Sequence, residues 1–465
     1  MTNFAELVPT RDELREMLRL AVPIVLAQVG IMLMGVVDTA MVGRVSPETV
    51  AAVALGHLYW VNLTMPGLGL LLVLDPVVSQ AVGAEDHEAI SRGVQRGVLL
   101  AFALTIPTVL LLMPGELFFA AIKQSPAVSV IASQFARWSA LGVLPFYLFV
   151  VLRVTLQAIG TVRAVVVAIV VANIANALFN WVFIYGHLGA PALGAVGSSL
   201  STVLSRWLMF GIILALGWKE IGPQLRPWRS DAARLKPLMR MVSIGAPVAF
   251  QMWLEMAVFS LGAVIIGWLG AGPLAAHEIA LNLASITFMV PLGVSAAAAA
   301  MVGRAIGRGD LAGARRDAVA AVVLGLGFMC GAAAVFILMP SGLARLFIAD
   351  PETAALAASL IMIAGTFQIF DGIQCVSAGI LRGTGDTRVP MLLHLGGFWG
   401  LGIPLMFALA FWARLGPQGV WWAYVISLAA VALLQVLRVR WRLTQDVQRL
   451  QLEDTQEFEL AELAG

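Results

Sequence analysis

MVSIGAPVAFQMWLEMAVFSLGAVIIGWL, residues 241–269, is a continuous apolar run with a single acid, Glu255, near its middle. A membrane-spanning helix needs about 20 apolar residues, so the run is long enough to cross a bilayer. An acid at the centre of such a helix costs about 2.5–3.5 kcal/mol on insertion scales. A carboxyl placed there is expected to face the protein interior or a wet cavity, where it can be used. Gln251 lies one helical turn before it and extends the polar face.

The rest of the chain has the same character. Of its 465 residues 60% are hydrophobic and only 12% charged, and the mean hydropathy is +0.91. That excludes a soluble globular protein and predicts an all-α, polytopic membrane protein. A net charge of +2 is too small to suggest a nucleic-acid partner. Cys330 and Cys375 both sit in apolar runs and read as small hydrophobes, with no disulfide framework or cysteine metal site in view. The first 19 residues mix acids with arginines and lack the apolar core of a cleaved signal. They are expected to form a short amphipathic helix on the cytoplasmic face.

Twelve spans are predicted, at about 20–43, 50–77, 94–114, 127–155, 164–184, 195–217, 241–269, 273–302, 317–340, 354–381, 389–412 and 418–441. Alternate loops are basic: Arg92 and Arg96; Arg153 and Arg163; Lys219 to Arg240; Arg304, Arg308, Arg315 and Arg316; Arg382 and Arg388. The intervening loops hold only Arg44, Lys123, Arg345 and Arg414. By the positive-inside rule the basic loops and both termini are cytoplasmic; the resemblance drawn below implies the inner membrane of a bacterium.

The chain also repeats itself. A shift of 224 brings Pro23 onto Pro247, Gly43 onto Gly267, and the stretch Ser79–Asp86 onto Gly303–Asp310. A shift of 225 brings Leu156, Gly160 and Arg163 onto Leu381, Gly385 and Arg388. Six spans per repeat give both halves the same orientation, so they form two six-helix lobes related by a pseudo-two-fold axis along the membrane normal. The expected divisions are a cytoplasmic segment at 1–19, an N-lobe at 20–217, a linker at 218–240, a C-lobe at 241–441 and a cytoplasmic tail at 442–465. This is the plan of a carrier.

If the lobes share a scaffold, chemistry is expected where they differ. Asp38, Glu255 and Asp371 each stand alone in a span, and their repeat counterparts are Gly262, Ile31 and Phe146. Low-dielectric surroundings penalise a bare carboxylate, which disposes each acid to bind a proton or pair with a cation. Gln368 and Gln374 flank Asp371 on its own helix face; Asn173, Asn176 and Asn180 form one stripe, and Ser198, Thr202 and Ser205 another. Asp38 with the Asn stripe is expected to make one polar site, and Glu255 with Asp371, supported by Gln251 and Gln374, a second. Arg137 and Arg206 fall inside spans and are left without a role, and His394 reads as a packed polar residue. His277–Glu278 begins like a zinc motif, but Leu281 stands where a second His is needed.

These residues resemble the multidrug and toxic compound extrusion (MATE) transporters, in particular the NorM-type bacterial branch. The resembling stretches are Val36–Gly43, Asn176–Trp181 with Ile184–Gly186, Glu255, Asp371–Gln374 and Leu381–Thr387. The resemblance implies an antiporter that expels cationic amphipathic drugs and dyes in exchange for protons or sodium. It implies an N-lobe site of Asp38, Asn176, Asn180 and Thr202, and a C-lobe cation site at Glu255 and Asp371, where Na+ would be the only metal. Some sodium-using relatives carry Tyr one turn before the acid of the tenth span; Phe367 stands there in this chain. No cofactor is implied, and the expected partners are small cationic amphipaths and membrane lipid, with the protein a monomer. The alternative is a flippase for a lipid-linked or polysaccharide precursor, which would be expected to line its passage with several arginines. An enzyme is not expected: the chain has no nucleophile–base pair, HExxH motif or Walker lysine.

Overall fold

The computed structural model describes residues 9–453. The first eight residues, and the tail acids Asp454, Glu457, Glu459 and Glu462, lie outside the described residues. Among the described residues, twelve helices are long and apolar enough to cross a membrane. They are α1 (Arg11–Val42), α2 (Pro47–Gly83), α3 (His87–Leu112), α4 (Pro126–Ile159), α5 (Arg163–Tyr185), α6 (Ala195–Leu216), α7 (Leu235–Gly267), α8 (Ala271–Gly307), α9 (Leu311–Leu338), α10 (Pro351–Gly383), α11 (Arg388–Trp412) and α12 (Pro417–Thr444). Each contains one of the twelve expected spans or overlaps it closely. Side chains such as Ile106, Leu110 and Ile174 are exposed by 63%, 64% and 67%, an arrangement suited to lipid and not to water.

The ends of these helices are set by local chemistry. Ser46 accepts from the Thr49 N–H ahead of Pro47, and Asp86, Asp310 and Asp350 cap α3, α9 and α10 by accepting from Ala89, Gly313 and Thr353. Hydrogen bonds from the Thr353 hydroxyl and N–H hold the exposed Asp350 carboxyl below its usual range. Asp86 and Asp310 are repeat mates, and so are Gly160 and Gly385, both left-handed at φ +92° and +79°. The start of the sixth helix in each half supplies another pair: Gly194 and Gly416 have φ +54° and +57°. The two halves therefore share caps and turns, residue for residue, as the sequence repeat requires.

Two details differ from the expectation. Residues 11–19 are not a separate surface helix; they are the opening turns of α1, because nothing between Arg11 and Val42 breaks the helix except Pro23, which it absorbs. The compact units also do not follow the expected lobe limits. One consists of the chain up to Val25 with Phe250–Arg449, the other of Leu26–Ala249 with the segment from Leu450. Each unit thus takes the opening half of the helix that begins the other repeat. Glycine makes this possible: a Cβ on Gly69 would stand 2.5 Å from Ala249 Cα, and one on Gly293 only 2.9 Å from Val25 Cα and N. Both the glycines and their partners are 224 residues apart, so the same crossing is built twice.

Within the unit that contains α8 to α12, α10 packs against α8, α9 and α12. α11 widens to a π-helix over Leu395–Gly402, just after His394 and just before Pro404, which has no N–H to continue an α-helical ladder. In the other unit α5 packs on α6, and α4 is surrounded by α2, α3 and α6. The linker is folded: Gln95 donates to the carbonyls of Gln224 (3.0 Å) and Pro227 (3.1 Å) and accepts from the Arg229 N–H (2.9 Å).

Candidate functional site

Asp38 lies in the last turns of α1 and is 8% exposed. Asn180 on α5 donates to its Oδ1 at 2.6 Å, and Thr202 on α6 donates to its Oδ2 at 2.7 Å. The Asn180 amide also reaches Asn176 Oδ1 at 3.2 Å, so the spacing of four residues brings both amides to one face. The expected stripes are only partly used. Asn173 turns to its own helix, donating to the Ile169 carbonyl, and Ser205 does the same with Ser201. Several buried polar atoms on these helices have no partner among the described residues: Asn176 Nδ2, Asn180 Oδ1, Ser198 Oγ and Arg206 Nη1. Such atoms are rare in protein interiors and suit a cluster that completes its bonding with water or a ligand.

Arg206 is a member of this cluster that the sequence left without a role. It lies one turn beyond Thr202 on α6 and is 8% exposed. Its guanidinium carbon stands 3.6 Å from the centroid of Trp60, on α2. The i, i+4 spacing from Thr202 was the available signal.

The second cluster gathers on α7, α10, α11 and α12. Asp371 is 5% exposed, while Glu255 keeps 19% of its side chain accessible. Cys375 lies one helical turn beyond Asp371 on α10, and both are buried. His394 is the hub. Its Nδ1 is 2.9 Å from the Pro390 carbonyl, which can only accept, so Nδ1 donates there and Nε2 is left as the acceptor. The amide of Gln374 donates to Nε2 at 2.6 Å, with Gln251 at 3.4 Å and Glu255 Oε2 at 3.9 Å on the same side. Gln435 of α12 sits 3.3 Å from Nδ1. His394 is thus packed and polar, as expected, but it stands beside the acid instead of apart from it. Gln435 was missed, although it too is a lone polar residue in an apolar span. Gln368 makes no hydrogen bond to the cluster, and both its amide atoms are buried without a partner among the described residues.

Phe367 is packed at 6.0 Å from Phe259 and 5.9 Å from Trp421 and offers no oxygen to an ion. Among the described residues, no three His, Cys, Asp or Glu are arranged to hold a metal ion. Among the described residues the direct hydrogen-bond partners of Asp38 are neutral, which is the chemistry a seat for a small cation or a proton needs.

The repeat mates of the cluster residues do not ionise in the same way. Aligning Gly194 on Gly416 puts Thr202 on Tyr424, and the 224 shift puts Asp38 on Gly262. A Cβ on Gly262 would fall on the Tyr424 hydroxyl, so a phenol fills in one half the space that a carboxylate fills in the other. Conversely Gln251, Gln374 and Gln435 correspond to Ala27, Phe149 and Ile213, which are members of one apolar core cluster with Ile31, the mate of Glu255, packed against it.

Comparison with known proteins agrees with this layout. The MatE family model matches residues 23–182 and 247–408, two segments that begin 224 residues apart (247 − 23). The chain is 40% identical over 444 residues to a probable multidrug resistance protein NorM of Mesorhizobium japonicum, covering 93% of this chain and 94% of that one. It is 37% identical over 430 residues to a multidrug resistance protein NorM of Burkholderia vietnamiensis, covering 90% and 92%. Among solved structures, the eukaryotic MATE transporter AtDTX14 superposes with a TM-score of 0.84 at 20% identity, over 94% of this chain and 98% of that one. A MOP superfamily transporter from Pyrococcus furiosus Vc1 gives 0.82 at 18% identity, over 96% and 98%.

Proposed function

Because the chain belongs to the MatE family, we propose that it is a multidrug efflux antiporter that expels small cationic amphipathic drugs and dyes in exchange for a proton or sodium ion. The observation that carries the reading is Asp38: a buried acid whose direct hydrogen-bond partners, Asn180 and Thr202, are both neutral. A carboxylate held in this way keeps a charge for a mobile cation to balance. Asp38, Asn176, Asn180 and Thr202 form the N-lobe site in this reading. Glu255 and Asp371, with Gln251 and Gln374 behind them, form the ion site of the C-lobe. In this reading 20–217 and 241–441 are the two repeats from which the lobes are built, joined by the linker 218–240, and residues 1–19 and 442–465 at their outer ends face the cytoplasm.

Transport proceeds by alternating access. A coupling ion favours one arrangement of the lobes and the drug the other, so each is released where the other binds. One charge moved through 100 mV is worth about 2.3 kcal/mol, roughly a fifty-fold accumulation, so an ion gradient is a sufficient source of work. No cofactor is needed, and the protein acts as a monomer in the bacterial inner membrane with both termini in the cytoplasm. The test is efflux of a cationic dye such as ethidium from cells stripped of their own pumps. Asp38→Asn, Glu255→Gln and Asp371→Asn are each expected to lower efflux ten-fold or more at equal protein in the membrane. Wild-type efflux in all three would refute the ion-coupled carrier.

A further inference from the structure

The last described residues of the chain leave the pattern that the repeat sets. The alignment of Gly194 on Gly416, a shift of 222 carried past the sixth helix of each half, puts Asp231 on Glu453, while the 224 shift puts Arg92 on Arg316. In the first half the linker acid stays with its own third helix: Asp231 Oδ2 lies 3.6 Å from Arg92 Nη1, and the Asp231 carbonyl accepts from Arg96 Nη2 at 3.3 Å. Its mate does not do the same. Arg316 is held by Glu13 at 2.5 Å, and Glu453 lies on the arginines of the first half, with Oε1 2.9 Å from both Arg92 Nε and Arg96 Nη2. Three further contacts seat the segment. The Leu450 N–H donates to Gln80 Oε1 at 2.7 Å, Arg240 Nη1 donates to the Leu452 carbonyl at 2.9 Å, and the Leu452 side chain packs on the apolar core that α2, α3 and α4 share. A chain end is ordinarily loose, and an exposed ion pair is worth only about 0–1 kcal/mol. Here the Arg92 and Arg96 side chains are 9% and 2% exposed, so withdrawing Glu453 takes a partner from charge that is already buried.

We propose that the segment Gln445–Glu453 is a clasp on the side that the basic loops mark as cytoplasmic: docked, it restrains the separation of the two halves there, and the transport cycle requires its release. The role rests on the alternating-access reading of the chain. α12 belongs to one compact unit and the residues from Leu450 to the other, so the tail is covalently part of the first and seated on the second. At about 3.3–3.6 Å per residue, the chain from Thr444 to Leu450 reaches about 20 Å at most, and that reach is the limit while Glu453 stays docked. A contact made in one state of the cycle and lost in the other shifts the balance between them by its own worth. For a hydrogen bond to a charged group that shift is about ten-fold.

The test uses the full chain in nanodiscs of phosphatidylcholine, with Cys330→Ser and Cys375→Ser as background and spin labels attached through His87→Cys and Ala312→Cys. Both labelled positions are exposed, at the starts of α3 and α9. Pulsed EPR reads the populations of short and long label separations. Glu453→Gln is expected to raise the ratio of long to short about ten-fold, and a chain ending at Gln445 to raise it at least as far. An unchanged ratio in either overturns the proposal, and if the shortened chain does not fold, Glu453→Gln decides. Asp231→Asn removes a charge from the same Arg92 but belongs to a linker that stays within one unit, so it is expected to leave the ratio where it is. A rise equal to that of Glu453→Gln would mean that any loss of charge at Arg92 loosens the protein, and the clasp fails. Dye efflux separates the clasp from the carrier reading. If the wild type exports the dye and the ratios do not move, the carrier stands and the clasp fails. If the ratio rises in Glu453→Gln but the wild type exports no dye, the carrier reading fails and the clasp stands as a restraint between two conformations.

Discussion

Replacing Gly69 by alanine tests the doubled helix crossing directly. The new Cβ would stand 2.5 Å from Ala249 Cα and 2.9 Å from its N, both backbone atoms that cannot rotate away. Carbon atoms in contact prefer about 3.5–4.0 Å, so α2 and the opening half of α7 must separate by about 1 Å. Overpacking of this kind costs about 1–3 kcal/mol. Helix propensity works the other way, since Gly→Ala inside a helix gains about 0.5–1 kcal/mol. Gly331→Ala in α9 isolates that gain, because a Cβ there meets nothing within 4 Å. The assay is the apparent melting temperature of the detergent-solubilised protein. Gly69→Ala is expected to melt several degrees below the wild type, and Gly331→Ala at or above it. Gly293→Ala, at the matching crossing, should fall by a similar amount, as its Cβ would stand 2.9 Å from Val25 Cα and N. If Gly69→Ala and Gly331→Ala melt together, the close approach of α2 and α7 is not what joins these segments.

Three further outcomes are expected. Thr202→Val removes one of the two hydrogen bonds to Asp38, worth about 1.5–3 kcal/mol for a charged acceptor, and should lower affinity for a cationic dye about ten-fold in equilibrium binding. Ser205→Ala, whose hydroxyl bonds only its own helix, is the control and should bind as the wild type does. Glu453→Gln should lower the melting temperature, because Glu453 Oε1 lies 2.9 Å from both Arg92 Nε and Arg96 Nη2, with the Arg96 side chain only 2% exposed. Glu116→Gln, which breaks an exposed pair with Arg137, should cost no more than about 1 kcal/mol in the same assay. In sealed proteoliposomes a pH gradient is expected to drive dye transport without sodium, since Phe367 offers an ion no oxygen; transport driven only by a sodium gradient would contradict that.

The fold was legible because a membrane leaves few choices. Every backbone amide in lipid must bond within its own helix, so twenty apolar residues are enough to identify a span. The repeat was legible because turns demand particular residues: Gly160 and Gly385 are left-handed, and Asp86 and Asp310 cap, at matching places. The acids were found because a lone carboxyl in an apolar run is costly. Arg206 was harder to place, since an arginine near a helix end can extend to the membrane surface; only the Trp60 ring beneath it shows that it turns inward. His394 was undervalued because its importance comes from three glutamines on α7, α10 and α12, and no spacing along one helix brings those together. The exchange of the opening halves of α1 and α7 was not legible at all. It depends on which helix each glycine faces, and a glycine in a span has many reasons to be there.

The repeat also shows why the two carboxyl clusters sit at different levels of their halves. The mate of Glu255 is Ile31 (255 − 224), seven residues before Asp38, so the two acids lie about 10 Å apart in their common helical frame. Each lobe therefore has two depths at which a polar site could form, and uses one. The unused depth is filled: by Tyr424 against Gly262 in one half, and by Ala27, Phe149 and Ile213 in the other. That filling is what confines the ionisable groups. An acid introduced at Gly262 would have no space beside the Tyr424 phenol, and one introduced at Ile31 would meet an apolar core with no donor to hold it. A second carboxylate site in either lobe thus requires rebuilding several side chains together. Duplication supplied the scaffold twice, but packing keeps each half's chemistry at its own level in the membrane.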